Sequence, residues 1–209
     1  MKRYIFILGL ITIIASSCDK VEELKDEISF RLYDPYLELN PADSVAKIYA
    51  PSCYELIPSP SDSVVSVAID VDKDGFNDFE FTYSTYYKNV SPFDACENHN
   101  SSIKVKAFGV ENRILVEDVI FSKVRVYSID DELSMSNPVS SEAVIYLDDA
   151  SSSEAVTLES GNKYIGVRLA SGRIGWIKIA HKLETFTFTI MEHAYNKNHL
   201  LNIKAGQKN

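Results

Sequence analysis

The sequence lacks the short motifs that mark the common classes of enzyme. It has three cysteines and four histidines among 209 residues, and no HExxH, HxH or CxxC pattern occurs, so a zinc site has little support. It also lacks a GxSxG nucleophile motif, a P-loop and a GxGxxG turn. Carboxylates are plentiful, but the separation of a glycosidase pair would be set by the fold and not by the sequence. We therefore expect a protein that is not an enzyme.

Positive charge is scarce. The chain has 21 lysines and arginines against 30 acidic residues, a net charge of −9. A chain this acidic is repelled by phosphate backbones, and no basic patch interrupts it, so nucleic acid is not an expected partner. The hydrophobic content of 45% and the charged content of 24% are typical of a globular domain.

Long apolar runs are also missing, since the one run at the start, Tyr4–Ala15, is too short for a comfortable transmembrane helix. Lys2 and Arg3 precede it, and small residues lead from it to Cys18, which is the organisation of a secretory signal. The end of the run, Ala-Ser-Ser-Cys, resembles a bacterial lipobox, although Ala15 stands where leucine is commoner.

The lipobox resemblance implies a boundary at Cys18. Residues 1–17 would be a lipoprotein signal peptide, Cys18 would carry the lipid, and residues 18–27 would form an acidic tether to the membrane. Without the signal, 19 basic residues face 30 acidic ones, a net charge of about −11. We expect an outer-membrane lipoprotein, with exposure at the cell surface as one option. The alternative is an ordinary secreted protein in which Cys18 is structural.

The other two cysteines are Cys53 and Cys96. In an exported protein an isolated pair most simply forms a disulfide. Closing a loop of about 43 residues would contribute roughly 4 kcal/mol to stability on the chain-entropy model. The alternative is a reactive Cys96 that works with His99, although no third catalytic group is evident.

The rest of the chain alternates apolar and polar residues with a period of two, which predicts strands. About ten such runs occur after residue 27, with polar loops between them. The clearest runs are 28–32, 65–71, 79–84, 103–107, 116–121, 124–129, 143–147, 164–169, 174–179 and 185–190. We therefore predict that residues 28–209 form one all-β domain, an antiparallel β-sandwich or an open barrel.

A cluster of carboxylates interrupts the strand pattern and predicts a calcium loop. Asp70, Asp72, Asp74 and Asp78 occupy positions 1, 3, 5 and 9 of a loop with Gly75 at position 6. This spacing wraps oxygen ligands around Ca²⁺, and position 7, here Phe76, would add its backbone carbonyl. The alternative is a solvated acidic loop without an ion.

The loop is not expected to belong to an EF-hand. Phe81 stands at position 12, where an EF-hand has a bidentate glutamate, and the residues that follow alternate as a strand and not as a helix. The spacing instead resembles the DxDxDGxxD loops of thrombospondin type 3 and dockerin-like repeats, and Glu80 is the nearest candidate for a further ligand. Alternation from Val65 onward also predicts that Asp70 and Asp72 point away from the core, toward solvent.

A second resemblance lies near the C-terminus. The stretch Lys163–Ile179 is similar to a YIGF…YGWI hairpin of secreted and lipoprotein β-domains in Gram-negative bacteria, which also have a DxDxDG loop upstream. The segments His193-Ala-Tyr-Asn and Ile203-Lys-Ala-Gly extend the similarity. The resemblance implies an extracytoplasmic β-fold of mostly uncharacterised role. Within the hairpin we expect Gly166 and Gly175 at positions of close packing or bulges and Trp176 in the core.

The expected function is that of a binding module. Tyr86 and Tyr87 follow the calcium loop and, if exposed, could stack on a sugar ring or contact a protein. The alternative for these two side chains is that they end a strand and cover the edge of the core. A different functional class is a structural or accessory subunit of an envelope or adhesive assembly that uses a sheet edge.

Overall fold

The computed structural model describes residues 27–41, 63–87, 99–148, 158, 161–182, 185–199 and 201–209. Thirteen strands lie in these segments, and the described residues contain no α-helix. The strands are β1 (Ile28–Leu39), β2 (Ser63–Ile69), β3 (Phe79–Tyr87), β4 (His99–Ala107), β5 (Arg113–Leu115), β6 (Val126–Tyr127), β7 (Glu132–Leu133), β8 (Val139–Ser140), β9 (Glu142–Asp148), β10 (Lys163–Arg168), β11 (Ile174–Lys182), β12 (Thr187–Asn196) and β13 (Ile203–Lys204). In these segments no helix has the length and apolar character that a membrane span requires.

The strands form two main antiparallel sheets. The larger sheet has the order β1-β12-β11-β10-β5-β8, with β6 also paired to β10, and the smaller sheet has the order β2-β3-β4-β9. A separate pair joins β13 to β7. The prediction of an all-β antiparallel sandwich is therefore confirmed, and the strand number exceeds ten because several short pairings of two or three residues left no periodic signal.

The main core lies between the two sheets. Phe81 on the smaller sheet and Phe188 on the larger one are both fully buried, and their ring centres are 5.9 Å apart. Alternating positions of β3, β4 and β11 complete this layer with large side chains that exclude water. Among them are Phe79, Tyr83, Ile103, Val105, Ile177 and Ile179.

The larger sheet is also covered on its other face. A second buried cluster there contains Trp176, Tyr164, Leu133 and Ile203, contributed by β11, β10, β7 and β13. Trp176 is fully buried, as predicted, and its indole N–H donates to the backbone carbonyl of Gln207 at 3.2 Å. A strand buried on both faces reads as a nearly continuous apolar run, as Ile174–Ile179 does.

Two glycines permit the close approach of the elements around this face. A Cβ on Gly166 would lie 2.7 Å from a Leu115 methyl carbon, and a Cβ on Gly175 would lie 2.5 Å from the carbonyl oxygen of Ala194. Neither glycine has a positive φ in this structure. The prediction that they are close-packing positions is confirmed.

The predicted strand over residues 116–121 is wrong. Val116 forms only an isolated bridge with Val124, and the residues between them form a turn that the Asp118 carboxylate stabilises by accepting the backbone N–H of Phe121 at 2.8 Å. The apolar side chains that suggested a strand are exposed here, with Ile120 at 87%. The alternation therefore did not correspond to a buried face.

Candidate cation site

The acidic loop connects β2 to β3. The two strands pair in register up to Ile69 and Phe79, and the backbone N–H of Asp78 donates to the carbonyl of Ile69 at 2.8 Å, which closes the connection. Lys73 and Gly75 have φ values of 63° and 96°. Glycine adopts this left-handed region without a steric penalty, so Gly75 allows the sharp turn that the pattern predicted.

Carboxylates within the loop hold its backbone in place. Asp70 accepts the N–H of Lys73 through Oδ1 at 2.7 Å and the N–H of Gly75 through Oδ2 at 2.9 Å. Asp74 accepts the N–H of Phe76 at 2.8 Å. Aspartates commonly satisfy the backbone of a turn in this way, and each carboxylate oxygen retains a further lone pair.

Asp78 lies deepest, with 7% of its surface exposed. Its Oδ2 accepts the backbone N–H of Val71 at 2.8 Å, and its Oδ1 accepts the side-chain N–H of Asn112 at 2.9 Å. Burial raises the pKa of the Asp78 carboxyl, and the nearby Asp72 acts in the same direction, while the hydrogen bonds from Val71 and Asn112 oppose the rise. A cation beside this carboxylate would favour its charged form.

Asp72 does not point freely to solvent, so that expectation is wrong. Its Oδ2 lies 2.7 Å from Nη2 of Arg173, and only 16% of its side chain is exposed. Arg173 comes from the turn between β10 and β11, and its guanidinium lies 4.8 Å from the centre of the Tyr195 ring. The other oxygen, Asp72 Oδ1, is buried and has no hydrogen-bond partner in the described part of the chain.

Asp70, Asp72 and Asp78 come together as a group that could hold a metal ion. One carboxylate oxygen from each lies within 4.8 Å of the other two. Ca²⁺ binds oxygens at about 2.3–2.6 Å, so two of its ligands lie at most about 5 Å apart. The three oxygens therefore satisfy the spacing that one calcium ion requires, and the unpartnered Asp72 Oδ1 is an acceptor suited to it.

The other predicted ligands lie outside the group of three carboxylates. Asp74 is exposed and does not belong to the group of three, and the side chain of Phe76 is 77% exposed at the tip of the loop. Glu80 is half-buried within β3, where it pairs in register with Ala68 and Lys106. Three of the predicted positions are thus assembled, and further ligation by Asp74, the Phe76 carbonyl or Glu80 stays a prediction.

The site also includes residues that the sequence pattern did not indicate. Asn112 follows β4, Arg173 follows β10, and His193 lies on β12, so all three reach the loop from distant parts of the chain. Asn112 also accepts the backbone N–H of Ala170 at 2.6 Å through its Oδ1. None of these residues has a local spacing that relates it to the acidic loop, and only the fold brings them there.

His193 is 1% exposed and lies beneath the loop. Its Nδ1 is 3.0 Å from the Tyr33 hydroxyl, and it also hydrogen-bonds the backbone of Val71. Burial lowers the pKa of His193 to about 4, with Arg31 acting in the same direction, so this imidazole is neutral at pH 7. Burial raises the pKa of Tyr33 to about 12.

The other predicted sites are the three cysteines, the signal segment and the tyrosine pair at the end of β3. Cys18, Cys53 and Cys96 lie outside the described residues, as does the signal segment 1–17, so lipidation and the disulfide stay predictions. Tyr86 and Tyr87 belong to β3, opposite Asn100 and His99 of β4. The structure describes only the backbone of these two tyrosines, and their contact with a ligand stays a prediction.

Comparison of the chain with protein-family models, curated proteins and solved structures finds no match. The resemblances of the acidic loop and of the β10–β11 hairpin therefore stay predictions.

Proposed function

We propose that this chain is a calcium-stabilised lipoprotein of the cell envelope that serves as a binding module for a glycan or a protein. The observation that carries the calcium part is the convergence of Asp70, Asp72 and Asp78, together with the buried and unpartnered Asp72 Oδ1. The envelope part is supported by the signal-like start of the sequence and the small residues before Cys18.

The charge balance of the site favours a divalent ion. Two like charges 4.8 Å apart repel by on the order of 3 kcal/mol at an effective dielectric constant of 20, and three carboxylates meet here. The Arg173 guanidinium offsets one of these charges. A divalent cation would neutralise the remaining two, and it would also coordinate the Asp72 oxygen that accepts no hydrogen bond.

Calcium suits this loop better than magnesium. Mg²⁺ demands near-octahedral geometry at about 2.0–2.1 Å and retains several waters, whereas Ca²⁺ accepts six to eight oxygens in flexible arrangements. Three carboxylates joined by a short loop, with backbone carbonyls and water to complete the shell, fit the flexible coordination of Ca²⁺ better than the strict octahedron of Mg²⁺. Occupancy at a hundredfold excess over the dissociation constant would stabilise the fold by about 2.7 kcal/mol.

Thermal unfolding with and without calcium tests the proposal. For the mature chain with Cys18→Ser, we expect 1 mM calcium to raise the melting temperature above its value in EDTA by about 5–10 °C, given about 2.7 kcal/mol and 2–4 °C per kcal/mol at this size. Asp70→Asn keeps one oxygen acceptor for the loop N–H groups of Lys73 and Gly75 but loses the second acceptor together with the charge, so it should abolish most of this shift.

The matched control is Asp118→Asn, because Asp118 also accepts a turn N–H, that of Phe121, but lies outside the cluster. This variant should retain the full response to calcium. A wild-type melting temperature that is equal in calcium and in EDTA would remove the calcium site from the proposal. An equal loss of response in both variants would show that the effect is one of general surface charge.

A further inference from the structure

A cleft separate from the acidic loop lies between the start of β10, the middle of β11 and the turn after β6. It is open to solvent and has a volume of about 390 Å³, which is enough for part of a small ligand. Its lining residues are Ser128, Ile129, Asn162, Tyr164 and Lys178. None of these residues takes part in the cation site.

The cleft has one charged wall. Nζ of Lys178 lies 3.3 Å from Oε1 of the buried Glu192 and 5.9 Å from the centre of the Tyr164 ring, another wall of the cleft. Glu192 also pairs with Lys208 through Oε2 at 2.8 Å. One carboxylate is thus shared by two ammonium groups, so this trio has a net charge of +1 in a chain whose net charge is −9.

The other walls are neutral and of two kinds. Ile129 is 65% exposed and offers an apolar surface, and Tyr164 is held edge-on against Trp176 with ring centres 5.3 Å apart, which fixes its position. Ser128 and Asn162 are exposed and offer a hydroxyl and an amide. Asp131 is nearby, but it accepts the backbone N–H of Ser128 at 2.7 Å and is not among the lining residues.

We infer that this cleft binds a carboxylate-bearing monosaccharide unit, such as a uronic acid. The carboxylate would pair with Lys178, the hydroxyls would hydrogen-bond Ser128 and Asn162, and the C–H face would pack on Ile129. A zwitterion is less suited, because no carboxylate lines the cleft. The inference rests on the binding-module part of the proposed function, names its ligand class, and does not depend on calcium.

Titration of the mature chain with D-glucuronate and with D-glucose tests the inference, because the two sugars differ only at the carbon that carries the carboxylate. We expect saturable binding of glucuronate, measured by calorimetry and by chemical-shift changes at Ser128 and Asn162, and at least about tenfold weaker binding of glucose, which is about 1.4 kcal/mol. A glycan that ends in glucuronate should bind at the same residues. Tighter binding of this glycan than of free glucuronate would indicate that the ligand is a glycan, and equal or weaker binding would indicate the free sugar.

Lys178→Met keeps most of the side-chain volume, and Glu192 retains its pair with Lys208, so this variant should fold. It should bind glucuronate about tenfold more weakly, with little change for glucose. Lys182→Met on the same strand is the control, because Lys182 is exposed and does not line the cleft. It should bind as the wild type does.

Equal affinity for the two sugars, an unchanged affinity in Lys178→Met, or shifts confined to other residues such as Tyr86 and Tyr87 would overturn the inference. Absence of binding to either sugar would overturn it as well. A retained calcium response in the same protein would then show that the calcium proposal stands although the ligand assignment has failed.

Discussion

Replacing Asn112 by alanine should be one of the most destabilising polar substitutions around the acidic loop. Its side chain is buried, with 6% exposed, and makes two hydrogen bonds to different elements. The bond to Asp78 Oδ1 ends on a buried carboxylate, and hydrogen bonds to charged groups contribute about 1.5–3 kcal/mol. The bond from the Ala170 N–H is partly exposed and contributes about 0.5–1.5 kcal/mol. We expect Asn112→Ala to reduce the free energy of unfolding by about 2–4 kcal/mol.

Urea unfolding followed by tryptophan fluorescence measures this value, because Trp176 is the one tryptophan of the chain and is fully buried. The control is Asn202→Ala. Asn202 also donates to a carboxylate, Glu132 Oε1 at 2.5 Å, but on the surface, so its loss should cost less than about 0.5 kcal/mol. If Asn112→Ala costs as little as Asn202→Ala, with an unchanged m-value, the reasoning that Asn112 satisfies a buried carboxylate is refuted.

Three further predictions concern other parts of the molecule. The pKa of His193 falls to about 4 on folding, so the unfolded chain binds more protons between about pH 6.5 and 4, and stability should fall by up to about 3 kcal/mol as the pH drops through this window. In EDTA, His193→Gln should flatten that part of the pH profile, and an unchanged slope would contradict the assignment. Gly175→Ala should cost about 2–3 kcal/mol in urea unfolding and more than Gly166→Ala, because its Cβ would meet backbone and not the ends of leucine side chains; the reverse order would contradict this. Cys18→Ser should move the protein from the membrane fraction to the soluble fraction, and unchanged fractionation would disprove the lipid anchor.

Much of the fold could be predicted from the sequence, because a half-buried strand requires alternating apolar and polar residues and this alternation is visible in the sequence. The runs at 65–71, 103–107 and 174–179 all correspond to observed strands. The failure at 116–121 has a physical reason. Alternation reports burial only when a partner covers the apolar face, and the exposed Val119, Ile120 and Phe121 have no such cover among the described residues.

The candidate site was predictable only in its local part. Asp70, Asp72 and Asp78 lie within nine residues, so their spacing alone suggested a common ion. Arg173 is 101 residues from Asp72, and its contact depends on the pairing of β10 with β11. Neither a periodicity nor a motif in the sequence indicates this contact. The sequence therefore could not show that Arg173 covers Asp72, and the expected solvent exposure of Asp72 was wrong.

The distant contacts also change what an ion in this loop would do. The loop connects β2 and β3, which are neighbouring strands of the smaller sheet. Asn112, Arg173 and His193 all belong to, or directly flank, strands of the larger sheet, and each contacts the loop through a hydrogen bond or ion pair. An ion that orders Asp72 and Asp78 would therefore order groups that connect both sheets of the sandwich. Its stabilising effect would act on the packing of one sheet against the other, and this packing exists only in the folded domain. Binding free energy adds fully to the stability of the native state when the unfolded chain lacks the site, as it would here.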